Sequence, residues 1–403
     1  LAADDEPQWE RETAPSPDKS CAGATLSPFH PSPRIFMSPP AGPVRASVIG
    51  YGYAGRTFHV RLLRATPGIE LVAVCSRQTE NLRQALPQVA VLADPSTLFA
   101  RADIDLVVIA TPNDTHAPLA AEALRAGKHV VIDKPVALDL AEARALAALA
   151  DASGRVLSVF QNRRWDSDFL AVSQAIADGE IGQVAHFESH LDRFRPQVRA
   201  RWREQAGPGA GIWYDLGPHL VDQALQLFGL PSRVSGRLAI QRNGGESPDW
   251  AHVLLDCGTP QVILHASMVD AGGSARFNVH GDRGSLMKRE PDQQEAQLKA
   301  GLVPGSGDWG ADSDPLLLHD GIGAVREMTP ARGDYLRFYA EVRNAITGDG
   351  VNPVPPIQAL AVMAVLEAAI HSDQQAGRLI ALPLSAGEIR AWEQSHSTRP
   401  LGA

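Results

Sequence analysis

The sequence predicts an α/β protein: an N-terminal parallel sheet covered by helices on both faces, then an α+β region with a mostly antiparallel open sheet. Three observations predict it. From residue 44 to 161, near-continuous apolar segments of four to six residues alternate with helical stretches, the pattern of strands buried on both faces. Beyond 161, strand-like segments with partial alternation follow one another with turn signals between them. Finally, the first apolar strand runs directly into Gly50-Tyr51-Gly52-Tyr53-Ala54-Gly55 and then a helical pattern, the strand–turn–helix setting of a dinucleotide fingerprint.

Each element can be justified in turn. Strand 44–49 ends at the fingerprint, and helix 56–64 is stopped by Pro67-Gly68. Strand 70–75, helix 79–85, strand 89–92 and the short helix 95–100 follow. Strand 106–110 ends in Thr111-Pro112. Helix 115–126 is closed by Gly127 at a C-cap position. Strand 129–133 ends at Lys134-Pro135, helix 139–152 is closed by Gly154, and strand 156–160 completes a Rossmann domain over 44–161. Residues 162–403 read as the second, α+β domain. Its strands fall at 184–192, 234–242, 250–257, 261–269 and 275–280, with a hairpin across 253–262. A Gly/Ala/Pro loop at 206–211 leads into a helix at 213–228. Residues 291–320 read as loop, and helices at 335–347 and 357–375 follow.

Residues 1–43 hold nine of the thirty prolines among Ser, Asp and Glu, and read as a disordered extension with the natural start near Met37. The net charge of −9 and pI near 5.8 argue against a non-specific nucleic-acid binder. Cys21, Cys75 and Cys257 lie far apart without any C-x-x-C, so a reducing, cytoplasmic setting is expected. The apolar run at 357–366 is too short to span a bilayer, so no membrane partner is expected.

The fingerprint glycines have distinct tasks. Gly50 permits the tight turn, Gly52 lets backbone amides approach a pyrophosphate, and Gly55 lets the helix pack on the strand. The helix N-terminus, through Tyr53 and Ala54, then offers N–H groups to phosphate. An NAD site wants an acidic residue at the end of the second strand, but here the chain reads Cys75-Ser76-Arg77. A guanidinium there suits a 2′-phosphate, with Ser76 adding a hydrogen bond, so NADP is favoured and NAD remains possible. The other reading of Arg77 is a solvated surface arginine. Thr111, Asn113 and His116 lie at a strand's carboxyl end, where ligands bind in open α/β sheets. Thr115 reads equally as a helix N-cap.

Lys134, before Pro135, is expected at the same sheet edge, where its ammonium can stabilise oxyanion charge or relay a proton. Asp215 and His219 are four apart and share a face if helical, giving an acid/base pair; a structural His–Asp pair is the alternative. The Arg/aromatic clusters at 162–166, 193–196 and 201–203 offer Trp165 and Arg195 as polyol contacts, or else mark a domain junction. The thirteen histidines are scattered without ligand spacing, so no metal is expected.

Taken together, GYGYAG at 50–55, ATPNDTH at 110–116, AGKHVVIDKP at 126–135 and Asp215-x-x-x-His219 resemble the glucose–fructose oxidoreductase / inositol dehydrogenase / rhizopine catabolism (Gfo/Idh/MocA) family. The resemblance runs from Val44 to the C-terminus. NRRWDSDFL at 162–170, RFRPQVRARWRE at 193–204 and YDLGPHLVDQALQLFG at 214–229 look most like its NADP-dependent scyllo-inositol dehydrogenase branch. It implies that Lys134 is the family's E-K-P lysine, with Asp133 in place of Glu, that His219 is the acid/base, and that Asp215 with Tyr214 binds substrate. The implied activity is hydride transfer between a nicotinamide and a secondary alcohol or ketone of a cyclic polyol or sugar, in a dimer or tetramer. Reduction of another keto- or anhydro-sugar, and a catalytically silent nucleotide-sensing regulator, are the alternatives.

Overall fold

Strand β1 (Val44–Ile49) lies at the centre of a six-stranded parallel sheet. In this computed structural model, which describes residues 42–397 apart from Gln78, the sheet order is β3-β2-β1-β4-β5-β6. The expected extension and start site fall outside the described residues, except for residues 42 and 43. After β1 a π-helical turn (Gly55–His59) runs into α1 (Val60–Ala65). Then come β2 (Ile69–Cys75), α2 (Thr79–Ala85), β3 (Ala90–Leu92), α3 (Pro95–Phe99) and β4 (Leu106–Ile109). The unit ends with α4 (His116–Arg125), β5 (His129–Ile132), α5 (Leu140–Ser153) and β6 (Leu157–Val159). Val107, Val108, Val130 and Val131 are fully buried, as adjacent residues can be only in a strand covered on both faces. Burying each contributes about 1.5–3 kcal/mol. Asp94 and Asp139 cap α3 and α5, and Gly154 closes α5 in the left-handed region at φ 61°.

After α6 (Ser167–Ala177) the chain builds a nine-stranded mixed sheet. Its members are β7 (Val184–Asp192), β8 (Arg233–Ala239), β9 (Trp250–Asp256), β10 (Gln261–Ser267), β11 (Phe277–Gly281), β12 (Ser285–Lys288), β13 (Leu316–His319), β14 (Val325–Met328) and β15 (Ile380–Ala381). The predicted hairpin is present, with Leu255 opposite Val262. All pairs are antiparallel except β7 with β10. Helix α7 (Ile212–Phe228) packs across one face of this sheet.

Two expectations need correction. The stretch read as loop at 291–320 contains α8 (Gln294–Lys299) and β13, whose Leu316–Leu318 pairs with both β12 and β14. Its sequence is too short and polar to show periodicity, and only the neighbouring strands give it a register. The helices α6 and α11 (Ala386–Ser397) were also not expected. Finally, α9 (Leu336–Thr347) packs on α1, and α10 (Pro356–Gln374) packs on α5, β6, α7 and β8, so the late helices touch both sheets.

Candidate active site

The order of the first sheet reverses between β1 and β4, and a crevice opens at the carboxyl ends of these strands, where open α/β sheets bind ligands. It measures about 1010 Å³ and is lined by Gly50 and Gly52 after β1, Ser76 and Arg77 after β2, and Thr111 and Pro112 after β4. The glycines are dictated by space. Gly50 sits at φ +98°, and a Cβ there would lie 2.4 Å from the Ala110 carbonyl oxygen. A Cβ on Gly55 would lie 2.1 Å from the Gly50 carbonyl oxygen. On Gly52 a Cβ would meet nothing within 4 Å, because that position faces open crevice. This is a cradle a side chain would fill, beside the start of a helix, and it fits a dinucleotide pyrophosphate.

The helix begins earlier than expected: Arg56 N–H already bonds the Gly52 carbonyl at 3.1 Å, ahead of the π turn, which closes from Val60 N–H to the Gly55 carbonyl. Ala54 is half-buried within it. Tyr53 is 49% exposed and its hydroxyl bonds Glu295 of α8 rather than the crevice. Arg77 is exposed at the mouth, and no carboxylate pairs with it among the described residues. Beside it, burial pushes the Cys75 thiol up to about 11, so it is no nucleophile at neutral pH.

Asn113 and His116 are buried behind the crevice wall. Asn113 Nδ2 donates to the Gly209 carbonyl at 3.1 Å, and its Oδ1 has no partner among the described residues. His116 Nδ1 lies 2.8 Å from the Pro135 carbonyl oxygen and its Nε2 3.0 Å from that of Thr111. Burial lowers its pKa, and a neutral ring donates to only one of the two. The imidazole therefore ties the loop after β4 to the loop after β5. The Lys134–Pro135 peptide is cis.

The loop after β5 delivers Lys134 to α7. Its ammonium donates to the Asp215 carbonyl and lies 3.3 Å from Asp215 Oδ1. Arg193 and Arg203 approach the same carboxylate at 3.5 and 3.6 Å. Burial would raise Asp215, but the charges of Lys134, Arg203 and Arg193 outweigh it and hold the carboxylate ionised, far below its usual range. Burial lowers Lys134, with Asp215 opposing and Arg203 assisting. One turn along α7, His219 is 6% exposed, and its Nδ1 has no partner among the described residues. Burial, then Lys134 and Arg163, push it well below the ordinary imidazole range, so it stands neutral as a proton acceptor. Asp133 is held at about 2: burial would raise it, but His59, 3.9 Å away, and Lys134 prevail.

Fold and site thus bring Lys134, Asp215 and His219 together. Tyr214 OH donates to the Leu138 carbonyl at 3.1 Å, beside the crevice that Leu138 lines. Arg195 is half-buried in an arginine cluster; burial and then Arg193, Arg199 and Arg201 lower its pKa. Trp165 is not brought to the trio. It is 3% exposed and packs edge-on against Phe338, their ring centroids 5.8 Å apart. Arg164 is likewise committed to a buried pair with Asp222. Sequence reasoning singled out the 201–203 cluster only as a polyol contact or domain junction, and missed that Trp202 and the loop 205–210 form the crevice's far wall. The signal was Gly207, Gly209 and Gly211, all at positive φ; a Cβ on Gly209 would lie 2.6 Å from Leu138 Cδ2.

Comparison with known proteins identifies the family. Residues 44–161 match "Oxidoreductase family, NAD-binding Rossmann fold" and residues 173–382 match "Oxidoreductase family, C-terminal alpha/beta domain". The chain is 52% identical to the uncharacterized oxidoreductase YdgJ of Escherichia coli, over 82% of this chain and 96% of that protein. It is 33% identical to scyllo-inositol 2-dehydrogenase (NADP(+)) IolW of Bacillus subtilis, over 82% and 94%. A solved structure from Klebsiella pneumoniae, 52% identical over 88% of this chain and 99% of that one, superposes with a TM-score of 0.83. The chain belongs to the Gfo/Idh/MocA oxidoreductase family and is an NAD(P)-dependent dehydrogenase.

Proposed function

We propose that this dehydrogenase uses NADP(H) and acts on a secondary hydroxyl or ketone of a cyclic polyol or sugar, in the manner of a scyllo-inositol dehydrogenase. The observation that carries this reading is the trio that the loop after β5 and α7 bring together: an ionised Asp215, which lines a small pocket with Arg203, a buried Lys134 on it, and a neutral His219 one turn away. The nicotinamide, when bound, accepts or returns the hydride of the substrate carbon. In the oxidative direction His219 takes the hydroxyl proton as the carbonyl forms. Lys134 donates a hydrogen bond to the oxygen where negative charge develops. Asp215, acceptor-only while ionised, orients a neighbouring hydroxyl. The name and 33% identity of the IolW relative support both the polyol class and NADP.

Lys134→Ala and His219→Ala are each expected to lower kcat by roughly 10²–10⁴-fold, the usual scale of proton-transfer catalysis. Cofactor affinity, read by nicotinamide fluorescence titration, should stay within a few-fold of wild type. Near-native turnover in both variants removes the assigned roles.

A further inference from the structure

The face of the second sheet turned away from α7 carries an unusual set of side chains. Along β7 the alternate residues His186, Glu188, His190 and Asp192 point to it, while Phe187 and Ser189 are buried on the other side. His265 of β10 and His252 of β9, paired in register, lie on the same face.

We propose that His190, Asp192 and His265 bind a divalent transition metal of the zinc class, outside the hydride-transfer site. One ligand atom from each lies within 4.8 Å of the other two. The Asp192 carboxylate sits between the rings, with Oδ2 3.2 Å from His190 Nδ1 and Oδ1 3.7 Å from His265 Nε2. Tetrahedral zinc with bonds of about 2.0–2.2 Å separates its donor atoms by roughly 3.3–3.6 Å, so donors that all lie within 4.8 Å of one another must draw in by about 1 Å at most.

A second, independent observation points to a ligand. The Asp192 side chain is 5% exposed, and its Oδ1 is buried without a hydrogen-bond donor among the described residues. A buried carboxylate oxygen left so is costly, and a cation between it and the rings removes that cost. The surroundings are those of orienting partners. His265 Nδ1 lies 3.3 Å from His252 Nδ1, and His190 Nε2 lies 3.4 Å from Glu188 Oε2. Each ring can therefore give its other N–H to an acceptor while its remaining nitrogen faces the metal. Two imidazoles with one carboxylate favour zinc, cobalt or nickel over magnesium or calcium. Three protein ligands leave a fourth position for water.

The test is equilibrium dialysis of chelator-stripped full-length protein against Zn²⁺, with Co²⁺ as the spectroscopic probe. One equivalent per chain is expected, with the visible absorption of four-coordinate Co²⁺. His190→Ala and His265→Ala should each weaken binding at least tenfold, while His371→Ala, on exposed α10 surface, leaves it unchanged. Asp192→Asn, which preserves shape, should abolish the Co²⁺ spectrum even if an alanine variant proves unstable. Absence of stoichiometric uptake, or uptake and spectrum that survive the His190→Ala/His265→Ala double substitution, overturns the proposal.

Discussion

At the residue scale, the site is an exercise in setting protonation states by burial and charge. One carboxylate, Asp215, is faced by Lys134, Arg193 and Arg203, which keeps it ionised despite burial. Burial, then the charges of Lys134 and Arg163, keep His219 neutral. Arg77 is a separate residue-scale decision. It stands at the end of β2 where an acidic residue would select NAD, and its guanidinium suits a 2′-phosphate. Arg77→Ala is therefore expected to weaken NADP binding at least tenfold with little change for NAD, by fluorescence titration; equal losses would sink the assignment.

His129 carries a pH dependence. Burial, helped by the Arg155 charge, pushes it from 6.5 down to about 4, and its Nδ1 accepts the Val156 N–H at 3.0 Å. Its folded pKa lies below its unfolded one, so this contribution is fully present above pH 6.5. It is lost as pH falls towards about 4, where the unfolded chain binds the proton first, and its size is at most about 3 kcal/mol. Unfolding free energies measured across that window should fall with pH, and an NMR titration of the ring near 6.5 would contradict the account.

At the element scale, α7 decides whether Asp215 and His219 work together. Their i, i+4 spacing was legible in the sequence, because helical periodicity is local. How closely α7 lies on its neighbours was not. Gly217 lies between the two, and a Cβ there would come within 2.8 Å of Trp213 Cε3 and 2.9 Å of Leu366 Cδ2. Trp213 cannot easily yield, since its Nε1 donates to the Leu366 carbonyl at 3.2 Å. Gly217→Ala gains about 1 kcal/mol of helix propensity, but overpacking costs about 1–3 kcal/mol. A lower thermal midpoint is expected; an unchanged or raised one would show that α7 and α10 can separate. The π turn after β1 and the strand β13 escaped the sequence reading for a related reason. Both depend on what lies alongside: α8 against the turn, and β12 and β14 against the strand.

At the scale of the whole molecule, the first sheet, α7 and the late helices are joined through Arg164. Its Nε lies 2.8 Å from Asp222 Oδ2 on α7, and its NH1 donates to Gln358 Oε1 on α10 at 2.7 Å and to the Pro353 carbonyl at 3.0 Å. The pair is almost wholly buried, with side chains 5% and 3% exposed. Arg164→Ala leaves Asp222 buried and uncompensated, a loss of about 3–5 kcal/mol. Arg164→Met with Asp222→Leu removes both charges and should be milder. Chemical denaturation of the two variants compares them directly, and equal losses would mean that packing, not charge, dominates there.

What the sequence determined by itself was local in origin. Apolar runs, glycine spacing and helical periodicity depend on neighbours within a few residues, so they announced the Rossmann sheet, the fingerprint, the motif residues Lys134, Asp215 and His219, and the missing acid at Arg77. Tertiary structure alone decided contacts between distant segments. It set Arg193 and Arg203 on Asp215, closed the crevice with Trp202 and the loop 205–210, and buried Trp165 under Phe338. It also brought His265 beside His190 and Asp192 across paired strands. No spacing along the chain encodes these meetings, because they are fixed by strand register and helix packing, which one segment cannot specify without its partner.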